Sequence, residues 1–180
     1  MDHLMIDLET MGTAPDAPIL AIGAARFDPL NGAVTATFYR AIDPADAFKH
    51  GVVSGETFKW WMKQADEARL AVIAGTDTLD NALYEFHQFY RQRCEGACVW
   101  GNGATFDISL LERAYHQLWP DQGAPWGFRA VRDCRTINDV ASGLYPDIPR
   151  AKGVAHNALD DAIYQAEWVS AAWQALRNGR

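Results

Sequence analysis

The stretch Met5-Ile6-Asp7-Leu8-Glu9-Thr10 places two carboxylates, one residue apart, at the end of a short apolar run near the N-terminus. The run is typical of a β-strand, in which side chains at positions i and i+2 point to the same face of the sheet. Asp7 and Glu9 are therefore expected side by side, where they repel each other unless a positive charge lies between them. Taken alone, an exposed chance pair at a strand end is the simpler interpretation.

Two further strands are predicted directly after the first one, which covers His3 to Leu8. Ile19 to Asp28 is almost entirely apolar, and Ala33 to Ile42 alternates between apolar and polar residues. Pro29-Leu30-Asn31-Gly32 separates them and is typical of a hairpin turn. The three strands predict an antiparallel meander at the start of the chain.

The rest of the chain alternates between helical patterns and short strands. Apolar residues at helical spacing predict helices, whereas the polar stretch from Asp43 to Ser54 is predicted to be a loop. The predicted helices cover residues 57–64, 65–74, 78–93, 107–118, 136–144 and 157–177, and the predicted strands cover residues 97–101 and 130–133. This order predicts an α/β fold with a mixed five-stranded sheet flanked by helices, in one domain over residues 1–180.

Composition restricts the kind of protein. The net charge of −7 argues against a protein that coats a nucleic-acid duplex, but a site that binds cations through carboxylates is itself acidic. The longest apolar stretch, Ile19 to Ala25, is too short to span a membrane, and no signal peptide is visible. An odd number of cysteines, Cys94, Cys98 and Cys134, favours reduced thiols and a cytoplasmic location.

Two later stretches also place acidic residues beside predicted helix starts. Asp107 follows a predicted strand and a loop with two glycines, and on its own it is more simply interpreted as a helix cap. His156 precedes Asp160 and Asp161, which are favoured by the dipole of the last predicted helix. Each stretch therefore has an ordinary structural explanation when it is considered separately.

In this order and spacing, the three stretches resemble the motifs of the DEDDh 3′→5′ exonuclease superfamily, which has a ribonuclease H-like three-layer fold. Asp7-Leu8-Glu9-Thr10 matches the first motif, Asn102-Gly103-Ala104-Thr105-Phe106-Asp107 the second, and His156 with Asp161 the third. Within the superfamily, Thr57-Phe58-Lys59-Trp60-Trp61 and the size of the chain are most similar to the exodeoxyribonuclease VIII-like and mycobacterial exoribonuclease-like exonucleases of phages and bacteria.

The resemblance implies roles for five residues. Four carboxylates would be the metal ligands, and His156 would be the general base, because histidine commonly titrates near neutral pH. The implied ligands are Asp7, Glu9, Asp107 and Asp161. Their four negative charges would balance two Mg²⁺ or Mn²⁺ ions in a two-metal-ion mechanism. Asp160 competes with Asp161, but the family spacing selects Asp161, and neighbouring helix residues point about 100° apart.

The resemblance also implies a frayed single-stranded 3′ end as substrate, DNA or RNA, held by flat apolar side chains and by phosphate contacts. Of Trp60 and Trp61, we expect one ring to stack on a base and the other to pack, and Phe106 could equally belong to the core. Several arginines are further candidates for phosphate contacts, namely Arg129, Arg132 and Arg135. The predicted substrate contacts are Thr10, Met11, Asn102, Phe106, Trp61, Arg150 and Lys152.

The expected activity is a metal-dependent 3′→5′ exonuclease that acts on single-stranded DNA, RNA or both and releases nucleoside 5′-monophosphates. The alternative is a catalytically inactive domain of the same fold that binds nucleic acid or a protein. No membrane partner is expected, and the resemblance leaves a homodimer open. No single residue indicates whether DNA or RNA is the preferred substrate.

Overall fold

The computed structural model describes residues 2–150 and 153–178. A mixed sheet of five strands lies at its centre, in the order β3-β2-β1-β4-β5. The strands are β1 (His3–Thr10), β2 (Ile19–Phe27), β3 (Val34–Ala41), β4 (Cys98–Gly101) and β5 (Val131–Asp133). β1, β2 and β3 pair antiparallel, while β4 runs parallel to both β1 and β5. The predicted meander and the mixed sheet are confirmed.

Seven α-helices surround the sheet in the described residues. They are α1 (Pro44–Ala47), α2 (Gly55–Trp61), α3 (Asp66–Ile73), α4 (Leu79–Phe89), α5 (Asp107–Leu118), α6 (Cys134–Val140) and α7 (Ala158–Asn178). A π-helical turn, Tyr90–Cys94, continues α4, and a 3-10 turn, Phe128–Ala130, precedes β5.

Several of these elements differ from the prediction; α2, for example, covers Gly55–Trp61 instead of residues 57–64. The stretch predicted as a loop contains α1, a short helix that starts because Asp43 accepts a hydrogen bond from the Ala45 N–H and Pro44 occupies its first turn. α6 starts two residues earlier than predicted, because Asp133 accepts from the Thr136 N–H and caps the helix, and it ends at Val140 instead of Leu144.

Side chains of β1 alternate between the two faces of the sheet and separate two cores. Leu4, Ile6 and Leu8 belong to the core that includes residues of α4 and α5, whereas Met5 belongs to the core shared with α6 and α7. Residues 3, 5, 7 and 9 therefore share the face toward α7. This alternation gives three layers and directs the two acidic residues of β1 at one helix.

Three cysteines, all within the described residues, are buried and form no disulfide, as the sequence predicts. Among residues 2–150 and 153–178, no helix has both the length and the apolar character needed to cross a membrane.

Candidate active site

Three carboxylates from two elements meet at the end of β1. Asp7 and Glu9 of β1 and Asp161 of α7 each place one oxygen within 4.8 Å of the others. Glu9 is buried, and the other two are partly buried. The spacing of two along β1 brings Asp7 and Glu9 to the same face, where the first turn of α7 adds the third acid.

Asp107 approaches this cluster from the start of α5. Its Oδ1 accepts a hydrogen bond from the N–H of Leu8, the residue between the two acids of β1, at 3.3 Å. The residue before it, Phe106, is the N-cap of α5 and makes no side-chain capping bond, so Asp107 is not the helix cap that the sequence also allowed. The preceding loop is held in place by Asp133, whose Oδ2 accepts from the Ala104 N–H at 2.8 Å.

Burial and mutual repulsion change the acidity of the cluster. Burial, and then the charges of Asp107 and Glu9, raise the pKa of Asp7 well above its usual range. Burial, followed by Asp161 and Asp107, raises the pKa of Glu9 to about 8. Burial also raises the pKa of Asp107 to about 7, against the opposing effect of the hydrogen bond from Leu8. The cluster therefore favours either protons or a cation.

The donor set fits a divalent metal ion. Glu9 Oε1 is buried and has no hydrogen-bond partner in the described part of the chain, which is costly for a polar atom unless a ligand satisfies it. Carboxylate oxygens are the ligands preferred by hard cations such as Mg²⁺ and Mn²⁺. Asp7, Glu9, Asp107 and Asp161 are the residues that could hold such ions.

Asp161 has two partners from the segment before α7. The Arg150 guanidinium forms an ion pair with Oδ1, and the His156 backbone N–H donates to Oδ2 at 3.1 Å. Arg150 also lies over the ring of Tyr164, with 4.6 Å to its centroid. Asp160 instead accepts from the Val154 N–H at 2.8 Å, so its carboxylate binds the segment before α7.

His156 lies beside the cluster in an unusual backbone conformation. Its φ of 65° is the only positive value among the non-glycine residues described. In residues other than glycine, positive φ values concentrate at functional sites. The imidazole ring contacts the ring of Trp60 edge-on, with 4.7 Å between centroids. His156 thus lies between the carboxylates and the aromatic pair of α2.

A glycine in β2 allows α7 to begin so close to the sheet. A Cβ built at Gly23 would lie 2.1 Å from the carbonyl carbon of Ala158 and 2.3 Å from the backbone N of Leu159. No other residue fits this contact without moving the first turn of α7. Since Gly23 pairs with Asp7 across the sheet, the close approach places Asp161 opposite Asp7.

A cavity of about 380 Å³ opens beside Glu9. Thr10, Trp60, Trp61 and Phe106 are among its lining residues. Trp61 is 2% exposed and donates its Nε1–H to the Thr10 carbonyl at 2.9 Å, whereas Trp60 is 41% exposed. In this pair, Trp60 is the ring available for stacking, and Trp61 packs into the wall.

The remaining residues that were predicted to contact the substrate do not all lie at the acidic cluster. Arg150 lies at the cluster, but Met11 is buried in the core with the residues around α4 and α5. Asn102 accepts a hydrogen bond from Arg135 Nε at 3.3 Å. Lys152 lies outside the described residues.

Three residues that position the site carry no motif signal: Gln165, Gly23 and Asp133. Gln165 Nε2 donates to Asp7 Oδ1 at 2.7 Å. The glycine inside the apolar run of β2 is the one visible sign of a close backbone approach.

Comparison with known proteins identifies relatives along nearly the whole chain. Residues 2–173 match the model of the family described as the 3′-5′ exoribonuclease Rv2179c-like domain. An exodeoxyribonuclease of Enterobacteria phage T4 is 27% identical over 195 aligned positions, which include 89% of this chain and 84% of the phage protein.

Solved structures share the fold at low sequence identity. The nuclease domain of 3′hExo, a DEDDh family member bound to rAMP, has a TM-score of 0.63 at 15% identity, covering 99% of this chain and 92% of that one. E. coli exonuclease I in complex with a dA16 oligonucleotide has a TM-score of 0.68 at 17% identity. The match covers 98% of this chain but only 42% of exonuclease I. The predicted ribonuclease H-like fold is confirmed.

Proposed function

Because the chain belongs to the family of Rv2179c-like 3′-5′ exoribonuclease domains and is therefore a 3′-5′ exonuclease, we propose that it shortens single-stranded DNA, RNA or both from the 3′ end and releases nucleoside 5′-monophosphates. In this proposal residues 1–180 form one exonuclease domain. The observation that carries it is the meeting of Asp7, Glu9 and Asp161 within 4.8 Å, beside a cavity with an exposed aromatic ring.

The acidic cluster would bind the catalytic ions. Asp7, Glu9, Asp107 and Asp161 would hold two divalent cations, Mg²⁺ or Mn²⁺, and satisfy the orphaned oxygen of Glu9. Such ions supply positive charge that stabilises the phosphate in the transition state and the departing oxygen. Cations held here would also attract a polyanion to a protein of net charge −7.

His156 would act as the general base. Water attacks the phosphorus of the phosphodiester nearest the 3′ end and transfers a proton to the imidazole. The bond from this phosphorus to the 3′ oxygen of the preceding nucleotide breaks, its electron pair stays on that oxygen, and the oxygen takes up a proton from solvent. The products are a nucleoside 5′-monophosphate and a strand with a new 3′-hydroxyl. The contact of the imidazole with Trp60 and the bond of its own backbone N–H to Asp161 would keep the ring beside the reacting phosphate.

The cavity beside Glu9 would hold the end of the strand. Trp60 presents an exposed face for stacking on a base, and Phe106 lines the same cavity. Thr10 also lines the cavity, and its Oγ1 donates to the Gly12 carbonyl at 2.7 Å. Arg150, already paired with Asp161, is placed to contact a phosphate near the cluster.

The test is a gel time course with single-stranded DNA and RNA of one sequence, each labelled at the 3′ or the 5′ end. Reactions contain Mg²⁺, Mn²⁺ or EDTA. We expect a ladder from the 5′-labelled strand and rapid release of labelled mononucleotide from the 3′-labelled strand, only with metal. The faster substrate identifies the preferred sugar.

His156→Ala and His116→Ala serve as the matched pair of variants, because His116 lies in the last turn of α5, outside the proposed site. We expect His156→Ala to lose about 10²–10⁴-fold in rate, the usual contribution of a general base, and His116→Ala to retain the wild-type rate. Intact strands in every lane of a well-folded wild-type protein would contradict the proposed activity.

A further inference from the structure

Gln165 connects the two elements that carry the acidic cluster. It lies one helical turn after Asp161, so both side chains project from the same face of α7. Its Nε2 donates to Asp7 Oδ1 on β1 at 2.7 Å, and the residue is 5% exposed. Its Oε1 is buried and has no hydrogen-bond partner among the described residues. An apolar side chain would avoid this cost, so packing alone does not explain the amide.

The hydrogen bond restricts how Asp7 can offer its oxygens. The amide of Gln165 occupies Oδ1 of Asp7. Oδ2 can therefore bind a cation without the loss of that hydrogen bond. The side chain of Gln165, which donates this hydrogen bond to Asp7, is also neutral. Arg150 beside Asp161 brings a positive charge that competes with a metal ion, whereas the amide of Gln165 donates a hydrogen without one.

We propose that Gln165 is a positioning residue that orients Asp7 for binding of the divalent cation. This inference rests on the proposed function, since it assigns a role at the same site. Carboxylates that bind metals are commonly held by such outer hydrogen bonds, and removing the partner typically costs about 10–100-fold in metal affinity or activity. Gln165 acts through Asp7, so nucleic-acid binding does not depend on it directly.

Gln165→Met tests the role, because methionine has a similar length and no amide. The matched control is Gln174→Met on the same helix, where Nε2 donates instead to the Pro29 carbonyl at 3.3 Å. Isothermal titration of the nucleic-acid-free protein with Mn²⁺ measures metal affinity without turnover. We expect Gln165→Met to raise the Mn²⁺ dissociation constant about 10–100-fold and Gln174→Met to leave it unchanged.

Kinetics on a single-stranded oligonucleotide separate positioning from a general loss of structure. In Gln165→Met we expect kcat to fall at limiting Mn²⁺ and to recover as Mn²⁺ is raised, while KM for the oligonucleotide stays at the wild-type value. Gln165→Asn keeps the amide but is one methylene shorter, so it should lose the contact with Asp7 and bind Mn²⁺ more weakly as well.

Wild-type Mn²⁺ affinity in either folded Gln165 variant would overturn the positioning role while leaving the proposed activity intact. A rise in KM with unchanged Mn²⁺ affinity would overturn it too, since that result assigns Gln165 to substrate binding. A wild-type protein that neither binds Mn²⁺ nor shortens the oligonucleotide would overturn the proposed function and this inference together.

Discussion

The two ends of β1 bury titratable side chains on the same face of the sheet, toward the same helix, with opposite results. At the start of the strand, His3 Nδ1 accepts a hydrogen bond from Trp100 Nε1 at 2.8 Å, and its ring lies 5.2 Å from that of Trp173 on α7. At the other end, Asp7 and Glu9 face Asp161, and an oxygen of Glu9 has no partner in the described chain.

Burial favours the neutral form of the side chain at both ends. It is the main cause that lowers the pKa of His3 to about 4 and raises that of Glu9 to about 8. At neutral pH, His3 is therefore uncharged and its Nδ1 is satisfied by Trp100, whereas the acidic end holds groups that still exchange protons. The difference separates a neutral ring with a satisfied nitrogen from a group of acids that includes an unsatisfied oxygen.

The largest difference between the ends should appear in catalysis. Asp7→Asn preserves the size of the side chain and an oxygen for Gln165, but removes one of the charges that would hold the cations. Because metal ions contribute several kcal/mol of charge stabilisation and each 1.36 kcal/mol is tenfold in rate, we expect a loss of about 10³-fold or more. Initial rates with saturating Mg²⁺ measure it, with His3→Gln as the control that retains activity.

Circular dichroism of both proteins verifies folding. Retention of the wild-type rate by Asp7→Asn, or an equal loss in the folded His3→Gln protein, would remove the functional distinction between the two ends of β1.

The next largest effect is on stability without metal. The pKa of Glu9 rises from 4.5 to about 8 on folding, so between these values the folded protein binds more protons than the unfolded chain. The free energy of unfolding therefore falls as pH rises through this window, by an amount on the order of several kcal/mol. Urea denaturation in EDTA at pH 6 and pH 8.5 measures the fall.

Glu9→Gln removes this titrating group and should flatten the profile, with a gain in stability that is greatest at the alkaline end. An equally steep decline in Glu9→Gln would show that Glu9 is not the source of the pH dependence.

A smaller effect is the stabilisation by a bound cation. At a Mg²⁺ concentration about 100-fold above its dissociation constant, binding to the folded state adds about 2.7 kcal/mol. For a chain of this size that corresponds to a rise in Tm of roughly 5–10 °C. Differential scanning calorimetry with Mg²⁺ and with EDTA measures the rise, which should be much reduced in Asp7→Asn. The same Tm with and without metal would argue against a cation at this end of β1.

The sequence was sufficient to predict elements and motif residues whose signals are local. Apolar runs, a hairpin turn and helical spacing identify the five strands and most helices, and the structure brings Asp7, Glu9, Asp107, His156 and Asp161 together. Gln165 and Gly23 act through the approach of α7 to the sheet, and the glycine inside the apolar run of β2 is the only local sign of that approach. Likewise, only the rotation of α2 about its axis decides that Trp61 is buried and Trp60 exposed.

The smallest effect concerns the end of β1 that contains His3. There the pH dependence of stability has the opposite sign to that of Glu9. Because the pKa of His3 falls from 6.5 to about 4 on folding, the unfolded chain binds the proton more tightly between these values. The stability contributed by neutral His3 is therefore present above pH 6.5 and is lost as pH falls, at a cost of about 1 kcal/mol between pH 7 and pH 5.5. His3→Gln keeps an acceptor for Trp100 but does not titrate.

Urea denaturation of both proteins at these two pH values isolates His3, because the contribution of the acidic cluster is common to both and cancels in the difference. We expect the wild-type protein to lose more stability than His3→Gln on acidification. An identical change in the two proteins would mean that His3 takes up its proton as readily in the folded state as in the unfolded one. The contrast between the two ends of β1 would then have no thermodynamic counterpart at His3.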